Sequence, residues 1–253
     1  MQTKPNWHAI LAYYFIACLW SWPLFWWRDT HPASWKALPI PPEFQSPLVM
    51  WGPGLAAIVV FFVFPRMRSG FLSLPGSSWK RSALCFLIPI CFACIAYAIE
   101  SKKFTWKLAF DLVVWGFACL GEELGWRGFL QGALRPLGRI RASLLLALMW
   151  TAWHFTTTWD GLISHLETLL PALMALTFVL TFLTERTGSL ALAATVHAWV
   201  DLWFSPGGYF RWAGLAAVPV LIWMIWKWPK PNTEPAAHSP RPKPQIRGRL
   251  LAE

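Results

Sequence analysis

The chain has 253 residues, 56% of them hydrophobic and only 13% charged, with a net charge of +10 and a mean hydropathy of +0.43. A soluble domain carries about a quarter charged residues, so the composition excludes one and predicts an integral membrane protein. The basic residues are scattered between apolar runs rather than gathered in a patch, which argues against nucleic acid as a partner.

A membrane span needs about 20 predominantly apolar residues. In chain order the segments that meet this are 8–27, 47–64, 82–99, 107–130, 142–159, 167–183, 188–204 and 212–228. The predicted fold class is therefore all-α, a polytopic membrane protein with about eight transmembrane helices and the lipid bilayer as its surroundings. Trp20, Trp22, Trp26, Trp27, Trp226 and Trp228 fall at span ends, as interfacial aromatic belts require. Pro171 falls in the first turn of the sixth span, where its missing N–H is harmless. Only the TERT run, Thr184 to Thr187, divides the sixth span from the seventh. Cys18, Cys85, Cys91, Cys94 and Cys119 all lie in apolar runs and read as packing or lipid-facing residues. No cleavable leader is expected.

Eight spans put both termini on one side. If that side is the cytoplasm, it holds most of the 22 basic residues, among them Arg66, Arg68, Lys80, Arg81, Arg135, Arg139, Arg141, Arg186 and Lys227. Arg28, Lys36, Lys102, Lys103, Lys107 and Arg211 fall outside. The positive-inside rule thus predicts a multi-pass protein of the cell (inner) membrane with cytoplasmic termini. Residues 1–228 form its integral membrane domain, and 229–253, basic and Pro-rich, read as a disordered cytoplasmic tail.

Glu122 and Glu123 stand side by side in an otherwise apolar span, with Arg127 one turn on. A carboxylate at the centre of a span costs on the order of 2.5–3.5 kcal/mol or more, so intramembrane ionisable groups mark function by default. Two further spans carry His154 and His197, the latter with Asp201 one turn later. At 1.5 Å per residue, Glu122 lies about 20 Å along its helix from Arg135, His154 about 18 Å from Ala142 and His197 about 13 Å from Gly188. Three spans therefore bring polar groups to a similar depth. Residues four apart share a helix face, so Glu123 shares one with Arg127 and His197 one with Asp201, while Glu122 points to a different side. Spacing alone does not fix which Glu reacts and which pairs with Arg127. His8, His31, His165 and His238 lie at span ends or in loops, and Asp111 is expected at interfacial water.

GEELGWRG resembles the EExxxR motif of the CPBP family, the CAAX-protease and bacteriocin-processing intramembrane endopeptidases. Trp150 to His154 is similar to that family's aromatic-xxx-His motif, and His197 to Asp201 to its HxxxN or HxxxD motif. WGPGLAA at Trp51 to Ala57 looks like its Gly-Pro-rich second span. The resemblance implies a peptidase acting on a membrane-associated peptide or protein substrate. Glu122 and His154 would activate a water, His197 and Asp201 would stabilise the oxyanion, and Glu123 and Arg127 would hold the site together. The prenyl-protein proteases of the family have Asn where this chain has Asp201. An ionised Asp only accepts hydrogen bonds, so Asp201 is either a protonated donor or a carboxylate that orients and charges His197, and the second is the expectation. No cofactor is expected. The metal alternative is zinc on Glu122, His154 and His197, although no HExxH helix is present. The rival functions are a non-catalytic bacteriocin-immunity or scaffold protein, which retention of every motif position argues against, and a transporter, for which no duplicated half is found.

Overall fold

The computed structural model describes residues 4–65, 72–101, 103, 105–154, 159–203 and 208–229. The tail from 230 onward, with His238, lies outside the described residues, as do Arg66, Arg68 and Lys102 and the side chain of His165. The protein is all-helical: α1 (Trp7–Thr30), α2 (Pro32–Lys36), α3 (Pro42–Met50), α4 (Gly52–Val63), α5 (Trp79–Ser101), α6 (Trp106–Gly125), a π-helical turn (Trp126–Leu130), α7 (Gln131–Leu134), a 3₁₀ turn (Arg135–Leu137), α8 (Arg139–Trp153), α9 (Trp159–Thr187), α10 (Leu190–Trp203) and α11 (Gly208–Trp226). Among the described residues the one extended pairing is the isolated bridge between Ser73 and Ser189.

Among the described residues three helices are long and apolar enough to cross a membrane, Trp7–Thr30, Trp79–Ser101 and Leu166–Thr187, and a fourth span results if the bent pair α3–α4 counts as one. Large apolar side chains point outward along them, among them Leu11, Phe15, Phe62 and Ile99. An exposed apolar surface of this kind is what lipid covers. The helices that carry the polar residues are shorter or interrupted: α6 gives way to the π turn, α8 stops at Trp153, and α10 has only 14 residues.

The break between α3 and α4 has an identifiable cause. Pro53 cannot donate to Val49, and the chain bends by 46°. In a membrane the freed carbonyls need partners. α1 supplies them: Ser21 Oγ donates to the Val49 carbonyl at 2.8 Å and Trp20 Nε1 to that of Leu48 at 2.8 Å. The bend turns the start of α4 onto α6. There a Cβ on Gly54 would lie 2.6 Å from the Gly121 carbonyl oxygen, and one on Gly125 would run into Pro53. Gly121 and Gly125 flank the two carboxylates in G-E-E-L-G, so one face of α6 is glycine against α4 and the acids look elsewhere. Close backbone approach through small-xxx-small pairs is how apolar helices pack tightly in lipid.

Two expectations need correction. Pro171 sits inside α9, which starts at Trp159 rather than at 167, and so is not in a first turn. Thr184 to Thr187 is not a linker but the last turn of α9: Thr184 and Thr187 hydroxyls bond back to the Leu180 and Leu183 carbonyls, and the reversal is made by Gly188 at φ +69°. Polar Thr reads as a loop in sequence, yet in an apolar helix it satisfies itself on the preceding turn. Three segments meet at this turn. Ser73 and Ser77 bond to Gly188 and Thr187, Arg81 donates to the Met224 carbonyl at 3.1 Å, and Arg186 donates to that of Trp226 at 3.1 Å. Two arginines thus cap the C-terminus of α11, where the helix dipole favours cations. At the opposite end Lys107 bridges Glu43 and Asp111.

Candidate active site

α6 and α10 pack side by side, and Glu123 joins them. Its Oε1 accepts from Arg127 Nη1 at 3.0 Å, one turn along the same helix, and from His197 Nδ1 at 2.8 Å across the interface. Glu123 and Arg127 are fully buried. A buried pair is costly to form, and removing one partner costs about 3–5 kcal/mol because the other charge is left uncompensated. Glu123 is therefore the carboxylate tied to Arg127, which spacing had left open.

Glu122 looks the other way, toward α8, and its Oε2 accepts from Trp150 Nε1 at 2.9 Å. Trp150 is the hub of the cluster. The Arg127 guanidinium carbon lies 4.3 Å from its ring centre, the His197 ring meets it edge-on at 5.1 Å, and the His154 ring lies at 5.9 Å. One indole thus touches four of the six candidate residues and donates to the carboxylate among them that is not ion-paired.

His154 is the C-cap of α8 and not an interior residue of a span reaching 159. Its Nδ1 lies 2.8 Å from the Trp150 carbonyl. A carbonyl can only accept, so Nδ1 carries the proton and Nε2 presents its lone pair. α1 fixes this end of α8: Tyr14 Oη donates to the Met149 carbonyl at 3.1 Å and Trp22 Nε1 to that of Trp153 at 3.1 Å. Trp126, Trp150 and Trp153 are all fully buried; the last two rings flank His154 and Trp126 packs on both of them.

His197 is oriented by the same logic. Nδ1 donates to Glu123, which directs Nε2 toward Asp201 Oδ2 at 3.6 Å. Asp201 is also reached by Cys119 Sγ at 3.7 Å. Its side chain keeps 32% of its surface exposed against 4% for His197, so the cluster opens outward on the Asp201 side. Of the six candidates, Glu123, Arg127, His197 and Asp201 form one connected chain, and Glu122 and His154 join it through Trp150.

Sequence reasoning passed over two neighbours. Trp150 entered only as the aromatic of a motif. Cys119 was grouped with four packing cysteines, although it lies one turn before Glu122 and Glu123 on a shared face. One donor atom from each of Cys119, His197 and Asp201 lies within 4.8 Å of the others. Asp111 pairs with Lys107 at 2.8 Å, and His31 stacks near Trp26 between α1 and α2, both away from the cluster.

Comparison with known proteins adds a family. Residues 104–203, which contain all six candidates, match the model described as type II CAAX prenyl endopeptidase Rce1-like. Among curated proteins, none matches the chain. This segment is thus similar to the Rce1-like type II CAAX prenyl endopeptidases, a protease family.

Proposed function

We propose that the protein is an intramembrane, glutamate-dependent endopeptidase that hydrolyses peptide bonds of membrane-associated substrates. The observation that carries this is the division of labour between the two carboxylates. Glu123 is tied to Arg127 and His197, and Glu122 is held by a neutral indole N–H. In the proposed step Glu122, with His154 Nε2, takes a proton from water as its oxygen attacks the scissile carbonyl. His197 donates from Nε2 to the developing oxyanion while Nδ1 stays on Glu123. Collapse of the tetrahedral intermediate breaks the C–N bond, and the proton passes to the departing amine. Oxyanion donors are worth most in a water-poor site, and this one is walled by three buried tryptophans.

Asp201 acts as a positioning residue: a carboxylate 3.6 Å from Nε2 favours a proton on that nitrogen and cannot itself donate. The chemistry is proposed to need no metal, so purified enzyme should keep its activity after exhaustive chelation. Activity lost on chelation and restored by one zinc per chain would refute this.

Eight spans with both termini in the cytoplasm are part of the same proposal. It draws support from the clustering of Arg81, Arg186 and the end of α11 at one end and of Lys107, Glu43 and Asp111 at the other. The catalytic test is Glu122→Gln, assayed in liposomes against a panel of prenylated and unprenylated membrane-anchored peptides. The variant should accumulate and melt as the wild type does while cleaving nothing. Wild-type turnover by Glu122→Gln would sink the assignment.

A further inference from the structure

The contact between His197 and Asp201 is too long for a hydrogen bond, since an N–H···O pair closes to about 2.7–3.2 Å. Nδ1 is already committed to Glu123, so Nε2 faces a carboxylate oxygen across 3.6 Å, with the Cys119 sulfur 3.7 Å from that same oxygen. The Cys119 thiol and the His197 ring thus both turn toward one carboxylate oxygen, and a divalent cation that displaced their two protons would sit among the three donor atoms. Two ligand atoms on one tetrahedral zinc, at Zn–S about 2.3 Å and Zn–N or Zn–O about 2.0–2.2 Å, stand roughly 3.6 Å apart for thiolate and carboxylate and roughly 3.4 Å for imidazole and carboxylate. The two separations to Asp201 Oδ2, 3.6 and 3.7 Å, match those edges, and the three donor atoms all lie within 4.8 Å of one another.

We propose that Cys119, His197 and Asp201 form a binding site for a zinc-like divalent metal, with its fourth position open toward the exposed side of Asp201. Sulfur, imidazole and carboxylate are the three ligand types zinc takes. The outer shell is also present: Glu123 accepts from the remaining ring nitrogen of His197 at 2.8 Å, the arrangement that orients a metal-binding histidine. Cys119 and His197 are both buried, on α6 and α10, which pack against each other, so the donors are held by two helices and not by a loop. The site shares only His197 with the zinc alternative drawn from the sequence. Occupation takes Nε2 from the substrate carbonyl, so metal and substrate compete. That consequence rests on the proposed function; the binding does not.

The experiment is a titration of the chelator-stripped, detergent-solubilised full chain with Co²⁺ and Zn²⁺ alone, read by the thiolate-to-cobalt charge-transfer absorption and by displacement of cobalt by zinc. One metal per chain is expected, with the thiolate band present in the wild type and in His154→Ala. The band should vanish in Cys119→Ala and Cys119→Ser. Zinc affinity should fall in both by at least the roughly 10–100-fold that losing an outer-shell partner costs. Cys119 packs against Ala194 and Ala198, so the smaller side chain is tolerated and the melting temperature of the metal-free variants serves as the folding check. No band in the wild type, or a band that persists in both Cys119 variants, overturns the proposal. A band that also disappears in His154→Ala overturns it, because His154 is outside this set. Since none of these readouts uses proteolysis, an inactive enzyme that binds cobalt through Cys119 would reject the protease reading and leave the metal site standing.

Discussion

Trp150 links both halves of the site, and a single substitution separates its roles. Trp150→Phe keeps an aromatic face for Arg127 but removes the N–H that reaches Glu122 at 2.9 Å. A hydrogen bond to a charged group contributes about 1.5–3 kcal/mol, so kcat should fall roughly 10- to 100-fold. KM should change little, because the indole nitrogen touches the base and not the substrate. A KM effect with kcat unchanged would move Trp150 from positioning the base to binding substrate. This role was invisible in the sequence for a physical reason. Helical spacing reveals shared faces on one helix, such as that of Glu123 and Arg127, whereas the rotation of α8 against α6 is set by tertiary packing. Cys119 was missed on the same ground: its shared face with the glutamates was legible, but its approach to Asp201 on α10 was not.

At the scale of the element, the glycines around the acids decide whether α6 can sit where it does. A methyl group on Gly54 meets the Gly121 carbonyl oxygen at 2.6 Å, a backbone atom that cannot rotate away. Gly54→Ala must therefore push α4 off α6, and overpacking of this kind costs about 1–3 kcal/mol. Gly128 is the internal control: a Cβ there meets Leu124 Cδ1 at 3.4 Å and Leu190 Cδ1 at 3.6 Å, ordinary contacts with mobile side-chain ends. In detergent, Gly54→Ala should melt several degrees below Gly128→Ala, which should stay near the wild type. Equal melting temperatures would mean that the α4–α6 contact yields more readily than its geometry implies. The sequence announced this contact as two separate signals, WGPGLAA and GEELG, and only the bend at Trp51 brings them together. A helix boundary was legible where a glycine punctuates the chain, as at Gly188. Boundaries were misread at Thr184 to Thr187 and at Pro171, where polar or proline residues stay inside a helix because the apolar surroundings leave their backbones no better partner.

At the scale of the whole molecule, the charges sort to two ends, and this gives orientation a test that needs no assay of activity. Lys80 lies beside Arg81 at the start of α5 and Lys227 follows the end of α11, the two elements joined by the Arg81 contact to Met224. Lys107 opens α6 at the other end, where its side chain keeps 64% of its surface and reaches Glu43 and Asp111. Lys36 ends α2, one turn beyond the end of α1, and so belongs with Lys107. The proposed orientation, drawn from the positive-inside bias, has Lys80 and Lys227 in the cytoplasm. A membrane-impermeant amine reagent applied to sealed right-side-out vesicles should modify Lys36 and Lys107 and spare Lys80 and Lys227, with the pattern reversed in inverted vesicles, as read by peptide mass spectrometry. The exposed flank of Asp201 lies on α10, which begins beside the Lys80 end at Gly188 and runs toward the Lys107 end. Substrate would therefore approach His197 from the outer half of the bilayer. Modification of Lys80 in right-side-out vesicles would invert this picture and move the entrance to the cytoplasmic half, with the site itself unchanged.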